Sequence, residues 1–193
     1  MPGWLRALLL SLTLGLVGCA SVPLGSVVPL LRLDLATTRI EALRVAVRLP
    51  EAVRPRAGGV VLDVVLTRQG LPELKQGYLL VETEGAADLA GLVGQQRPGF
   101  RLTAYRLGAE DLERFRAVQD ALAEARVRGQ SGSLGFGIAT REFCRTGSGT
   151  PGRIPASTYL MTAESNGWLT VSEDFDLMGE PTVAAALADL APC

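Results

Sequence analysis

The feature that most constrains this fold is a succession of short extended runs between glycine and proline turns, broken twice by stretches of helical pattern. Val60 to Thr67 is strongly β-branched, and Gly77 to Thr83 reads as a second strand. Gly70 and Pro72 mark the loop between them, so the two are expected to form a hairpin. Phe100 to Leu107 alternates as a half-buried strand does, and Gly132 to Phe143 reads as another. Near the end, Ser157–Glu164 and Trp168–Asp174 flank the turn Ser165-Asn166-Gly167. Asn-Gly between two alternating apolar runs is the strongest hairpin signal in the chain.

Two segments read as principal helices. Thr38-Arg39-Ile40-Glu41 matches the capping box, in which a hydroxyl and a carboxylate three residues on satisfy orphan amides reciprocally. Behind it Ile40, Leu43 and Val47 recur at helical spacing and Pro50 closes the segment, which predicts a first helix. The longer one runs from about Ala109 to Arg128. Glu110 and Asp111 stand in its first turn, Arg126 and Arg128 in its last, and Gly129 just beyond, an order that suits the helix dipole and a left-handed cap. Leu112, Phe115, Val118 and Leu122 line the face expected to lie on a sheet. Leu30–Leu35 reads as extended, Pro55–Gly59 as a turn, Ala86–Gly91 as a short helical turn, and the alanine-rich tail Pro181–Pro192 as a small helix. The expected class is α+β: a largely antiparallel sheet of about five to seven strands, with two main helices packed on it. No internal repeat is visible.

The N-terminal end reads differently. Arg6 precedes an apolar run from Ala7 to Val17 that stops at Leu16-Val17-Gly18-Cys19. The run is about half of the roughly 20 residues a membrane-spanning helix needs, which favours a cleaved secretory signal over an anchor. It resembles the bacterial lipobox, and that resemblance implies cleavage before Cys19 and acylation of this cysteine. The expected organisation is a signal peptide over 1–18, a lipidated Cys19 with a flexible tether over 19–29, and a single domain over 30–193. Several acyl chains on one residue anchor stably, where a single myristoyl chain is marginal. In the lipoprotein sorting pattern Ala20, rather than Asp, implies the outer membrane, facing the periplasm.

Composition excludes more than it suggests. Removing Arg6 with the signal takes the net charge from −1 to −2, which leaves no footprint for nucleic acid. Histidine is absent, so Ser-His-Asp and Cys-His activation, His-ligated zinc and imidazole relays are all unavailable. Lys75 is the only lysine. With Cys19 assigned to lipid, Cys144 and Cys193 are left in an oxidising compartment. Either they pair, closing a loop of about 50 residues worth roughly 4 kcal/mol on chain-entropy grounds, or Cys144 is a buried thiol and Cys193 lies at a frayed end.

Four constellations carry superficial chemistry. Gly147-Ser148-Gly149-Thr150-Pro151-Gly152 has the letters of a dinucleotide fingerprint, but Pro151 and Pro155 prevent the helix start that would hold a pyrophosphate. It reads as a surface loop, with Arg145 and Arg153 as the pair that would hold an anion there. Glu173, Asp174 and Asp176 would offer oxygen ligands to a cation, yet EF-hand spacing is absent and a solvated strand end accounts for them. Glu82 and Glu84 fall on one face, as a paired-carboxylate hydrolase requires, and equally as the exposed side of a hairpin. Gly129-Gln130-Ser131-Gly132-Ser133 lacks the final glycine of a nucleophile elbow. No catalytic, cofactor-binding or metal-ligating residue is therefore assigned.

Asp34-Leu35-Ala36-Thr37-Thr38 through Arg48-Leu49-Pro50, with Ser157-Thr158-Tyr159-Leu160, is similar to small lipoproteins of alphaproteobacteria. The resemblance implies a cellular address and no particular activity. The expected function is that of a non-enzymatic binding or structural module, lipid-anchored in the envelope, requiring no cofactor and meeting another envelope protein or the cell wall. The alternatives are an accessory subunit of an envelope lipid-transport system, and a carboxylate- or metal-dependent hydrolase. An apolar cleft between helix and sheet would favour the first of these, and converging carboxylates the second.

Overall fold

The computed structural model describes residues 33–193 except 84, 148–151 and 189, with the side chains of 182, 186 and 188 also outside it. Cys19 and its tether therefore lie outside the described residues. Among the described residues nine strands form: β1 (Arg44–Pro50), β2 (Val53–Pro55), β3 (Val60–Arg68), β4 (Leu74–Glu82), β5 (Phe100–Leu107), β6 (Gly132–Thr140), β7 (Phe143–Arg145), β8 (Pro155–Met161) and β9 (Leu169–Asp176). Seven of them make one antiparallel sheet in the order β6-β3-β4-β5-β1-β8-β9, and β2 pairs with β7 in a separate ribbon. With helices α1 (Ala109–Val127) and α2 (Pro181–Ala188), the class is α+β, mostly sheet, with α1 the one main helix.

The expected hairpins form. β3 and β4 pair from Val61–Leu79 to Leu66–Leu74 around Gly70 at φ +74°. β8 and β9 pair around Asn166 and Gly167 at φ +50° and +130°. Their connecting loop is longer than a two-residue turn and is laced by Thr162 and Ser165, whose side chains each bond the other's amide. Helix α1 ends as its sequence predicts: Gly129 takes φ +74° and the Gln130 amide donates back to the Ala125 carbonyl at 3.0 Å. Its apolar face seats Phe115 and Leu122 on the sheet, Phe115 meeting Tyr78 edge-to-face at 5.1 Å. Burying one such ring contributes about 1.5–3 kcal/mol. At the other end of α1, Asp111 accepts the Leu79 amide at 2.5 Å, supplying the partner that β4 loses where β5 stops.

The predicted first helix is corrected. Ile40–Ala42 is a single 3-10 turn, and Arg44–Pro50 is strand β1 between β5 and β8. Val45, Val47 and Leu49 enter the main core from one face, while Ala46 on the other joins a smaller cluster with Leu92 and Tyr159. A strand buried on both faces shows no alternation, so its apolar residues fall into helical spacing by coincidence. The β-branched Val45 and Val47 are stiff and favour the pleated conformation. The capping-box residues are used elsewhere. Thr38 donates its hydroxyl to Glu164, holding that carboxyl below its usual range, and Glu41 accepts from Arg116 at 2.7 Å.

Two further expectations shift. Of the extended run expected over Leu30–Leu35, residues 30–32 lie outside the described residues, and Asp34 and Leu35 belong to a turn in which the Asp34 carbonyl accepts the Thr37 and Thr38 amides. The strand expected over Gly132–Phe143 divides at Arg141-Glu142 into β6 and β7, because Glu142 turns its carbonyl to the Arg56 amide. Beyond α2, the tail lies beside β7: the Arg145 amide donates to Ala191, and the Cys193 amide donates to Arg145. Cys144 and Cys193 are joined as a disulfide with Cα atoms 4.9 Å apart, and Leu187 and Leu190 fill the adjoining core.

Candidate functional site

The ribbon β2–β7 stands beside the sheet and leaves a cleft of about 390 Å³ against β4 and β5. Arg54 and Pro55 of β2 and the turn Arg56–Gly58 form one wall. Leu80, Val81 and Glu82 of β4 form the other, Tyr105 of β5 lies at the base, and the Cys144–Cys193 bridge closes an end. The chain can make this wall because Gly58 adopts φ +76°, where a side chain is strained. Arg54 reaches across to Glu82 at 3.2 Å, and both remain about two-fifths exposed. Burial pushes the Tyr105 hydroxyl up to about 12, with the Glu82 charge adding in the same direction, so the phenol is neutral through the physiological range. Val81 on the rim and Leu79 beside it on β4 are exposed apolar side chains. The cleft thus combines an apolar floor, the neutral Tyr105 hydroxyl, and a rim holding the Arg54–Glu82 ion pair with Arg56.

A second constellation lies across β1, β8 and β9. Arg48 is fully buried in the middle of the sheet. Its guanidinium donates to Gln95 at the carbonyl (3.0 Å) and the side chain (3.2 Å), to the Ser157 hydroxyl (2.8 Å) and to Asp174 (2.9 Å). The rings of Phe100 and Tyr159 each lie 5.9 Å from it, and Tyr159 donates to Gln95 at 3.1 Å. Asp174 also accepts from Arg97 at 2.8 Å, which with the Arg48 bond holds its carboxyl below the usual range. To meet Arg48, Asp174 takes φ +48°, unusual for a residue other than glycine. Only the Arg48 Nε is left without a partner, and the network, open to solvent at Arg97 and Asp174, ties β9 to β8 and β1.

The residues singled out in the sequence fall as follows. Asp174 belongs to the Arg48 network, Glu173 approaches Arg97 at 3.5 Å, and Asp176 accepts the Ile154 and Met178 amides and pairs with Arg153 at 3.2 Å. They do not converge on a cation site, and among the described residues no group of three or more ligand-type side chains does. Glu82 lies in the cleft opposite Arg54, while Glu84 is outside the described residues. Arg145 donates to the Leu190 and Gly147 carbonyls, so it and Arg153 both have protein partners, and 148–151 of the glycine-rich loop are not described. Gly129 caps α1 and Ser131 bonds Gln69.

Sequence reasoning missed Arg54, Tyr105 and Arg48. The one available signal was for Arg48, a lone charge inside the apolar run Val45–Leu49. Among the described residues no helix is long and apolar enough to cross a membrane. Comparison of the chain with protein families, curated proteins and solved structures finds no match.

Proposed function

We propose that the protein is an envelope lipoprotein, anchored through acylated Cys19 and facing the periplasm, that acts without catalysis by docking another envelope protein. The observation that carries this reading is the cleft between β2 and β4. An apolar floor of Leu80 and Tyr105 beside Arg56 and the Arg54–Glu82 pair suits an apolar side chain flanked by polar groups. Such mixed anchoring, with an aromatic base and arginine at the edge, is typical of protein contacts. The lipobox-like Leu16–Cys19 supports the address. The lipid-transport alternative is less well supported, because Phe115, Tyr78 and Leu122 fill the space between α1 and the sheet.

The test is in-membrane crosslinking and co-purification from the native host. Wild type is compared with Val81→Asp, which places a charge on the cleft rim, and with Cys19→Ser. A defined partner recovered with wild type and lost with Val81→Asp, at unchanged thermal stability, is the expected result. Recovery of the same partner by Val81→Asp, or hydrolysis of a generic ester or glycoside by the purified protein, overturns it.

A further inference from the structure

The two ends of the seven-stranded sheet are built differently. The β9 edge carries Glu173 and Asp174 and an irregular register against β8. Charges and bulges of that kind discourage strand addition. The β6 edge has neither protection. It runs nine residues, Gly132-Ser-Leu-Gly-Phe-Gly-Ile-Ala-Thr140, without a charge or a proline, in continuous register with β3.

The hydrogen-bonding parity of β6 follows from its flanks. The Gln69 amide donates to the Ser131 carbonyl and the Arg141 amide to the Gly59 carbonyl, one at each end of the β3–β6 register. In an antiparallel ladder bonded and non-bonded pairs alternate. The odd-numbered residues of β6 therefore turn their amides and carbonyls to β3. The even-numbered residues, Leu134, Phe136 and Ile138 among them, turn theirs to the open side. Among the described residues no strand takes them.

The side chains of β6 form a palindrome of types about Phe136: small, aliphatic, glycine, phenylalanine, glycine, aliphatic, small from Ser133 to Ala139. From this the geometry points to a second copy of the chain as the occupant of this edge, with β6 pairing antiparallel to itself on a two-fold axis through Phe136. The axis falls on a residue whose amide and carbonyl face outward, as a bonded self-pair requires. Leu134 then lies opposite Ile138 of the other copy, Gly135 opposite Gly137, and Ser133 opposite Ala139. Just outside the strand Arg141 meets Ser131 and Glu142 meets Gln130, so no like charges oppose. Two seven-stranded sheets become one continuous sheet, with Leu134, Phe136 and Ile138 of both copies on the α1 side, where each already packs against the core. A two-fold interface must be self-complementary, and this edge is. The inference does not depend on the cleft.

A charge swap across the axis tests it. Ser133 and Ala139 oppose each other only between copies, in non-bonded pairs whose side chains are closest. The full chain is purified in a density-matched detergent and its mass followed by sedimentation equilibrium up to about 100 μM, where an interface of modest affinity is populated. Wild type is expected to dimerise. Ser133→Lys with Ala139→Lys sets lysine against lysine twice and is expected to weaken the dimer at least about tenfold. Ser133→Glu with Ala139→Lys sets glutamate against lysine and restores it, with a salt dependence that wild type lacks. If the double-lysine variant fails to fold, the salt dependence of the Glu/Lys variant decides alone. A monomeric wild type, a double-lysine variant as dimeric as wild type, or a Glu/Lys dimer indifferent to salt overturns the inference.

Discussion

Replacing Arg48 by methionine should destabilise the fold by about 2 kcal/mol, and replacing it by lysine should cost more, about 3 kcal/mol. The values follow from what each change leaves behind. Methionine keeps an apolar chain in the sheet but withdraws the guanidinium from beside Phe100 and Tyr159, and with it a buried charge whose Nε has no partner. It also removes four hydrogen bonds, to Gln95 twice, Ser157 and Asp174. Each contributes roughly 0.5–1.5 kcal/mol net in an ordinary setting, and bonds to charged groups more. The Asp174 bond belongs at the low end, because that side chain is 40% exposed and keeps Arg97. Ser157 is not stranded either, since it still accepts the Asp174 amide at 3.0 Å. Lysine retains the buried charge but cannot reach Gln95, Ser157 and Asp174 with one ammonium, so the desolvation remains while the fork is lost. Urea unfolding of the three proteins measures both differences. By thermal scan a loss of 2 kcal/mol lowers Tm by about 4–8 °C in a chain of this size. A lysine variant as stable as wild type, or a methionine variant within about 0.5 kcal/mol of it, would refute the claim that the planar fork holds β9 to β1.

Further outcomes follow from the same contacts. The Cys144–Cys193 bridge closes a separation of 49 residues, so reduction, or Cys193→Ser, should lower stability by about 4 kcal/mol on chain-entropy grounds; an unchanged urea midpoint with dithiothreitol would contradict this. Burial raises the Tyr105 hydroxyl from 10.0 to about 12, and raises those of Tyr78 and Tyr159 as well. A group raised on folding contributes stability that is full below its unfolded value and lost as pH climbs through the folded one. Stability should therefore fall between about pH 10 and 12, with late tyrosine ionisation near 295 nm, and a titration in which all three tyrosines ionise at the ordinary value would exclude the buried phenols.

How much of this was legible in the sequence depended on whether the signal was local. Helix α1 announced itself by its acidic start, basic end and Gly129, and the hairpins by Gly70 and by Asn166-Gly167, because each feature lies within a few residues of its effect. Strand β1 did not, since burial on both faces erases the alternation that marks a strand. The ribbon β2–β7 did not, since three-residue strands carry no period and their pairing joins Val53 to Arg145 across the chain. The Arg48 network was invisible for the same reason: its hydrogen bonds span 47 to 126 residues. The run Glu173-Asp174 looked like a solvated strand end, and only the fold brings an arginine from β1 beneath it. The cleft likewise assembles from five separated segments, each unremarkable alone.

The envelope address turns on Cys19, and one labelling experiment tests it directly. Cells expressing the full chain are fed radiolabelled palmitate, and the protein is immunoprecipitated and fractionated. Wild type should carry the label, lack residues 1–18 and sediment with the outer membrane, whereas Cys19→Ser should be unlabelled. A wild-type chain that takes up no label and keeps its first eighteen residues would contradict the account.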